Sequence, residues 1–179
     1  MMRSHFTIAA SITCLLAQPL QAMPSTPDLG KAEGQCRNNE TGPAFQVAVD
    51  GLKDRKGKLK LEVYPANGTD FLADDNVLVM AGKTFRRVEV PLPATGAVSL
   101  CIRVPRAGSY ALSLLHDRDG NRKFGWTVDG IGFSNNPKLG WSKPSAQKVA
   151  IVASSGITLV PITLNYRRGL GMSPLRYSN

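Results

Sequence analysis

Hydrophobic and polar residues alternate along seven short segments of the chain. In residues 58–64, Leu59, Leu61 and Val63 fall on one side, and two lysines and a glutamate fall on the other. An alternation with a period of two residues is typical of a strand with one buried face. The pattern predicts strands over residues 45–49, 58–64, 86–92, 98–104, 109–117, 148–152 and 157–166.

Short strands separated by turn residues, with almost no helical periodicity, predict an all-β protein. We expect an antiparallel β-sandwich with one long structured loop. Pro161 interrupts the last strand. Because proline cannot donate to a strand ladder, we expect that strand at the edge of a sheet. One helical turn is predicted up to Asp74, with Thr69 as its N-cap.

The first residues have the layout of a secretory signal peptide. Arg3 and His5 precede an apolar stretch over residues 6–17, and Leu20 and Ala22 mark a cleavage site. The sequence therefore predicts an exported protein, periplasmic or extracellular. We expect a signal peptide over residues 1–22, an N-terminal arm over 23–42, one β-sandwich domain over 43–168 and a loose C-terminal tail over 169–179.

The chain is basic, with a formal net charge of +9. Cleavage after Ala22 removes Arg3 and no acid, which lowers the charge by one to +8. Such a charge favours anionic partners, among them envelope components and glycans. Basic and aromatic residues do not interleave as they do in proteins that follow a nucleic acid strand, so no nucleic-acid partner is predicted. No apolar stretch after residue 22 is long enough for a transmembrane helix, and the pattern leaves the oligomeric state open.

Two cysteines follow the predicted signal peptide, Cys36 and Cys101. An even pair in an oxidising compartment predicts a disulfide bond. In the strand over residues 98–104 the apolar side chains share one face, so Cys101 points away from the core. The bond is therefore expected to attach the arm to the outside or the edge of a sheet.

A long connection runs from Leu115 to Ser145 and contains both tryptophans of the chain. Most connections in a compact domain have about 4 to 6 residues, and much longer ones are commonly functional. We therefore predict a ligand-binding surface here, formed by His116, Asp119, Trp126, Asn135 and Trp141. The alternative is that the aromatic residues fold back as a cap on one open end of the sandwich.

Within this connection, Asp117, Asp119 and Asn121 recur at alternate positions, which is how an oxygen-ligand loop for calcium begins. An EF-hand loop would continue with glycine and glutamate at the positions of Arg122 and Val128. The alternative is an Asp-Gly turn that holds no metal. Apart from calcium, no cofactor is predicted.

His116 suggests a second alternative, a small hydrolase. Its neighbour Asp117 faces the other side of the strand, and no serine lies in a Gly-x-Ser-x-Gly elbow. We therefore expect a histidine that is hydrogen-bonded to the backbone, and no catalytic residue is predicted.

The same segment carries a resemblance to a known family. The runs His-Asp-Arg-Asp-Gly-Asn at 116–121 and Gly-Phe-Ser-Asn-Asn at 132–136 resemble two shared motifs of the bacterial domain-of-unknown-function family 2141. The likeness covers roughly residues 45–166, and the chain has Gly-Trp-Ser-Lys-Pro-Ser at 140–145 where many relatives have a Phe-Gly-Pro-Pro-Ser element. The resemblance implies an exported immunoglobulin-like or transthyretin-like sandwich with no established activity. The matching positions are His116, Asp117, Asp119, Gly120, Asn121, Lys123, Gly132, Phe133, Ser134, Asn135, Asn136 and Pro144.

These features predict a non-enzymatic binding or envelope-associated module. Two alternatives stay open: a calcium-stabilised carbohydrate-binding or adhesive domain, and a small hydrolase that uses His116.

Overall fold

The alternating segments form strands in two sheets that pack face to face. The computed structural model describes residues 23–175, so the predicted signal peptide and residues 176–179 lie outside the described residues. The predicted all-β sandwich is confirmed.

The smaller sheet has the strand order β4-β1-β8. Strand β1 (Ala44–Asp50) pairs antiparallel with β4 (Val98–Arg103) and parallel with β8 (Ile157–Thr163). The parallel pair is a departure from the wholly antiparallel pairing that we expected. Pro161 lies on β8 at the edge of this sheet, as its missing N–H predicts.

The larger sheet has the order β10-β9-β6-β5-β2-β3, and β7 also pairs with β5. All of its strand pairs are antiparallel. Its strands are β2 (Lys58–Pro65), β3 (Arg86–Pro91), β5 (Gly108–Asp117), β6 (Gly130–Phe133), β7 (Ala150–Ala153), β9 (Asn165–Arg168) and β10 (Gly171–Pro174).

The main core lies between the two sheets. Val47 on β1, Leu61 on β2 and Leu112 on β5 are fully buried there, each on the side that the alternation assigns to the core. Burial of one such side chain stabilises the fold by about 1.5 to 3 kcal/mol, so this layer is the main source of stability.

A second apolar layer covers part of the outer face of the larger sheet. Tyr64 on β2, Ala111 on β5 and Phe133 on β6 pack against Phe71 and Phe85, which belong to the segment between β2 and β3. The ring of Tyr64 meets both phenylalanines edge-on, with centroids 5.9 and 5.4 Å apart. Apolar side chains therefore pack against both faces of this sheet.

The segment predicted as one strand over residues 157–166 divides at Leu164. Its first part is β8 in the smaller sheet, and its second part is β9 in the larger one. The alternation continues through the division because Ile162, Leu164 and Tyr166 all face the core between the sheets. The chain thus changes sheets without a break in its pattern.

Two further strands lie outside the predicted set. Strand β6 lies inside the long connection and pairs with β5. Strand β10 lies in the segment expected to be a loose tail from residue 169, and it pairs with β9 from Gly171 to Pro174. The structure differs here from the expected loose tail, because the backbone of residues 171–174 pairs with β9 and forms the edge of the larger sheet.

Three short helices accompany the strands within residues 23–175. They are α1 (Lys31–Gly34), α2 (Asp75–Met80) and α3 (Ala146–Val149). Because α3 takes the first part of the segment predicted as a strand over residues 148–152, strand β7 begins only at Ala150.

The helical turn predicted between Thr69 and Asp74 is wrong, because α2 begins only at Asp75. Asn67 organises the preceding turn instead. Its Oδ1 accepts the N–H groups of Thr69 and Asp70, at 3.1 and 2.9 Å.

The predicted disulfide is confirmed, and it joins Cys36 to Cys101 with the Cα atoms 5.8 Å apart. Cys101 lies on β4, an edge strand of the smaller sheet, so the bond attaches the arm where the alternation places it. The arm is held a second time by Arg87 of β3, which donates to the carbonyl of Thr26 at 3.1 Å.

Candidate functional site

His116 on β5 is fully buried and both of its ring nitrogens have partners. Nδ1 lies 2.6 Å from the hydroxyl of Tyr166, and Nε2 lies 2.8 Å from the carbonyl oxygen of Lys56. A carbonyl only accepts, so Nε2 carries the hydrogen and Nδ1 accepts from the Tyr166 O–H. The same hydroxyl accepts the backbone N–H of Lys53 at 3.1 Å.

Burial lowers the pKa of His116 below its ordinary value of 6.5, because the interior disfavours the charged ring. The carbonyl of Lys56 and the carboxylate of Asp54 act in the opposite direction without reversing the shift. Hydrogen bonds from Arg118 hold Asp54 as a carboxylate and lower its pKa. The ring is thus a neutral link between β5, β9 and the segment before β2.

Two buried aspartates shape the turn that follows β5. Asp117 accepts the N–H of Arg122 at 3.0 Å. Asp129 accepts the N–H groups of Arg118 and Gly125, each at 2.8 Å. These bonds close the first part of the long connection onto itself.

One carboxylate oxygen each from Asp117, Asp119 and Asp129 lies within 4.8 Å of the others. Asp117 and Asp129 are buried, and Asp119 is exposed. The Oδ1 atom of Asp117 is buried and has no hydrogen-bond partner among the described residues. The third predicted candidate, Asn121, donates its side-chain amide to Asp119 at 2.8 Å. A cation with oxygen ligands could be held by the three carboxylates.

The asparagines after β6 connect neighbouring strands. Asn135 and Asn136 both have positive φ, at 62° and 46°. The amide of Asn135 donates to the carbonyl of Ala150 at 2.7 Å, and Asn136 accepts the N–H of Thr163 at 2.7 Å. Their side chains thereby attach the end of β6 to β7 and β8.

A groove of about 620 Å³ lies on the outer face of the larger sheet, next to the second apolar layer, and Phe133 belongs to both. Its floor is formed by neighbouring strands, with Leu115 of β5, Ile131 and Phe133 of β6, and the polar Glu62 of β2 and Ser113 of β5. A volume in this range suits a small-molecule ligand.

The walls of the groove come from the long connection and the C-terminal strands. Trp126 and Trp141 line it and meet edge-on, with ring centroids 5.6 Å apart. Trp141 is 78% exposed and Phe124 is 46% exposed, so large apolar surface borders the groove. Met172 of β10 also lines the groove.

A family model matches residues 47–159, and the family is described as an uncharacterized protein conserved in bacteria, DUF2141. The chain belongs to the DUF2141 family. A search of curated proteins and a search of solved structures each returned no significant match.

Five of the residues that carry the DUF2141 resemblance hold parts of the fold together. Asp117 closes a turn, Asn135 and Asn136 attach β6 to its neighbours, and His116 joins β5 to β9. Ser134 acts in the same way, because its hydroxyl accepts the N–H of Leu112 at 3.1 Å. In this DUF2141 protein the two motifs are therefore a structural frame for the groove.

The structure brings together only part of the predicted ligand-binding surface. Trp126 and Trp141 line one groove. His116 lies on the core side of β5, Asp119 lies on the turn, and Asn135 bonds to the backbone of β7. The cap expected as the alternative, over one open end of the sandwich, is not formed by the two tryptophans, because they line a groove on the outer sheet face and Trp141 is 78% exposed.

Sequence reasoning missed the other residues that line the groove. Lys60, Lys138 and Arg168 come from three separate parts of the chain, and β10 supplies Met172. Their contribution follows from tertiary packing, and the only local signal was the concentration of aromatic residues in the long connection. Among residues 23–175, no helix is long and apolar enough to cross a membrane.

Proposed function

We propose that this DUF2141 protein is an exported, non-enzymatic binding module whose groove takes an apolar small molecule. The observation that carries the proposal is the groove itself, which combines an apolar floor with two adjoining tryptophans. Ligand sites are commonly concave, mostly apolar and lined by aromatic side chains with a few polar groups.

Export is supported by the disulfide. The Cys36–Cys101 bond is of the kind that persists in oxidising compartments. It agrees with the signal peptide predicted over residues 1–22.

A binding role is favoured over hydrolysis by the state of His116. A general base has to reach the proton that it abstracts, within about 2.6 to 3.2 Å. The His116 ring is fully buried, and its two nitrogens are taken up by Tyr166 and Lys56. This arrangement gives the hydrolase alternative no support.

Binding can be tested with the neutral apolar dye N-phenyl-1-naphthylamine, whose fluorescence rises in an apolar site. We expect saturable binding, weakened about tenfold by Trp141→Ala, because an aromatic contact contributes on the order of a kcal/mol. The matched control is Leu159→Ala, which removes another side chain that is 76% exposed but lies on β8. Equal binding by both variants would contradict the proposal.

A second variant makes the test independent of Trp141. Ile131→Asp puts a carboxylate on the floor of the groove, at a half-buried position. An apolar ligand then loses its contact surface and faces a charge that it cannot pair. Dye binding by a folded Ile131→Asp variant at the wild-type affinity would also contradict the proposal.

Calcium is a second candidate, as a ligand that stabilises the turn after β5. It is favoured by the three clustered carboxylates and by the buried Oδ1 of Asp117, which no described residue satisfies. Arg122 does not oppose it, because its guanidinium pairs with Glu89 at 2.8 Å. The role proposed for the ion is structural, as in a calcium-stabilised binding domain.

Thermal unfolding with and without millimolar calcium tests this candidate. We expect calcium to raise the melting temperature of the wild type, since an ion that binds only the folded state stabilises it. Asp119→Asn keeps the shape of an exposed carboxylate and should remove the effect. An unchanged wild-type melting temperature would rule the calcium site out.

A further inference from the structure

The groove carries more positive than negative charge. Its lining includes four cationic side chains and a single acidic one. The cations are Lys60, Lys138, Lys143 and Arg168, and the acid is Glu62.

The negative charge of Glu62 is already balanced by cationic side chains of the protein. Its Oε1 lies 2.8 Å from Arg87 and 3.3 Å from Lys60. Its Oε2 accepts the hydroxyl of Tyr64 at 2.8 Å. Lys60 is engaged in turn, because its ammonium also donates to the carbonyl of Arg122 at 3.1 Å. Glu62 is therefore not free to balance the remaining cations.

Three cations of the groove lining have no carboxylate partner in the described part of the chain. Lys138 and Arg168 are exposed and make no ion pair with any residue from 23 to 175. The ammonium of Lys143 donates to the carbonyl of Phe71 at 3.0 Å and keeps its charge uncompensated. A fourth cation, Arg167, stands 5.7 Å from the ring of Trp126.

We propose that the natural occupant of the groove is a single-chain amphiphile with an anionic head group, taken up as a monomer. This rests on the proposed function and names its ligand class. The alkyl chain lies on the apolar floor, where its burial is favourable. The head group lies among the uncompensated cations, and the guanidinium of Arg168 is suited to a carboxylate or a phosphate.

Calorimetry with three probes of equal chain length tests the proposal. The probes are decanoate and decyltrimethylammonium, each kept below its critical micelle concentration, and decanol, kept below its solubility limit. We expect decanoate to bind about tenfold more tightly than decanol, because two or three exposed cations each contribute a modest attraction. Decyltrimethylammonium should bind most weakly, and added salt should narrow the difference between decanoate and decanol.

Reversal of two charges tests whether the cations of the groove cause the preference for decanoate over decanol. The double variant Lys138→Glu, Arg168→Glu should lose the preference for decanoate over decanol while it still binds decanol. The control is Lys53→Glu, Lys148→Glu, which makes the same change in net charge at exposed lysines outside the groove lining. This control should keep most of the preference.

The outcomes separate the two claims. Equal affinity of wild type for decanoate and decanol overturns the anionic head group and leaves the apolar groove standing. Failure of all three probes to bind overturns the inference and the proposed function together. Binding to anionic phospholipid vesicles without binding of monomeric decanoate overturns the inference in favour of a membrane-surface role.

Discussion

The hydroxyl of Tyr166 on β9 lies 2.6 Å from Nδ1 of His116 on β5, and this contact spans the intervening strand β6. It forms because Gly130 of β6 pairs with His116 and has no side chain to keep the tyrosine ring away. One hydrogen bond therefore holds three strands of the larger sheet in register beneath the long connection.

Removal of this hydroxyl should destabilise the fold. Tyr166→Phe leaves Nδ1 of His116 and the N–H of Lys53 without their partner, which costs about 1 to 3 kcal/mol in the free energy of unfolding. Urea denaturation measures it. A loss below about 0.5 kcal/mol, the size of an ordinary surface substitution, would show that the bond is not structural.

Stability should fall on mild acidification because of His116. Burial lowers the pKa of the folded-state ring below the ordinary 6.5, so the unfolded chain takes up a proton first. The stabilisation by the neutral His116 ring is present above the pKa that the histidine has in the unfolded chain. It is lost as the pH falls below that pKa, toward the lower pKa of the folded state. Denaturant titrations from about pH 7 to about pH 5.5 should show a decline that His116→Gln reduces.

The carboxylates provide an internal comparison for this pH effect. The pKa of Asp54 is lowered by hydrogen bonds from Arg118, and that of Asp70 by its bond from Lys83. Their stabilisation is present above the unfolded pKa and is lost only at lower pH, below about pH 4.5. A decline near pH 6 that persists in His116→Gln would contradict the assignment to the histidine.

Gly130 should tolerate no side chain. A Cβ there would lie 2.4 Å from Cε1 of Tyr166, so the ring has to move and its bond to His116 is broken. We expect Gly130→Ala to cost about 1 to 3 kcal/mol, the usual range for overpacking. Gly140→Ala is the control, because a Cβ at that position meets nothing within 4 Å. Similar losses in both variants, measured by urea denaturation, would count against the steric explanation.

The disulfide should contribute strongly to stability. Cys36 and Cys101 are 65 residues apart, and closing a loop of that size contributes about 4 kcal/mol in the chain-entropy model. The double variant Cys36→Ser, Cys101→Ser should lose stability of that order in denaturant titrations. It should also unfold as the reduced wild type does, since both lack the same constraint. A double variant as stable as the oxidised wild type would contradict this.

The sequence predicted most of the fold because strand alternation is a local signal. Leu59, Leu61 and Val63 alternate with polar neighbours, and each is fully buried. Strand β6 escaped prediction because it is only four residues long and two of them are glycines, so its pairing with β5 and the packing around it define it. The change of sheet at Leu164 could not be predicted from the alternation either, since the apolar side chains of both parts of the segment face one core.

The candidate site could be predicted only where its residues lie in one segment of the sequence. Trp126 and Trp141 were expected to act together, and they meet in the groove. Alternation along β5 places His116 on the core face, whereas Leu115 faces the groove, so His116 does not share a surface with the two tryptophans. Arg168 reaches the groove only because β9 and β10 join the larger sheet, and no local sequence pattern predicts this pairing.

The most direct test of the groove uses the protein's own tryptophans. The chain has two, Trp126 and Trp141, and both line the groove. We predict that a titration with decanoate shifts the tryptophan emission to shorter wavelength and saturates, because the exposed ring of Trp141 leaves water when the alkyl chain binds. An emission spectrum that stays unchanged up to the critical micelle concentration of decanoate would contradict the groove as the binding site.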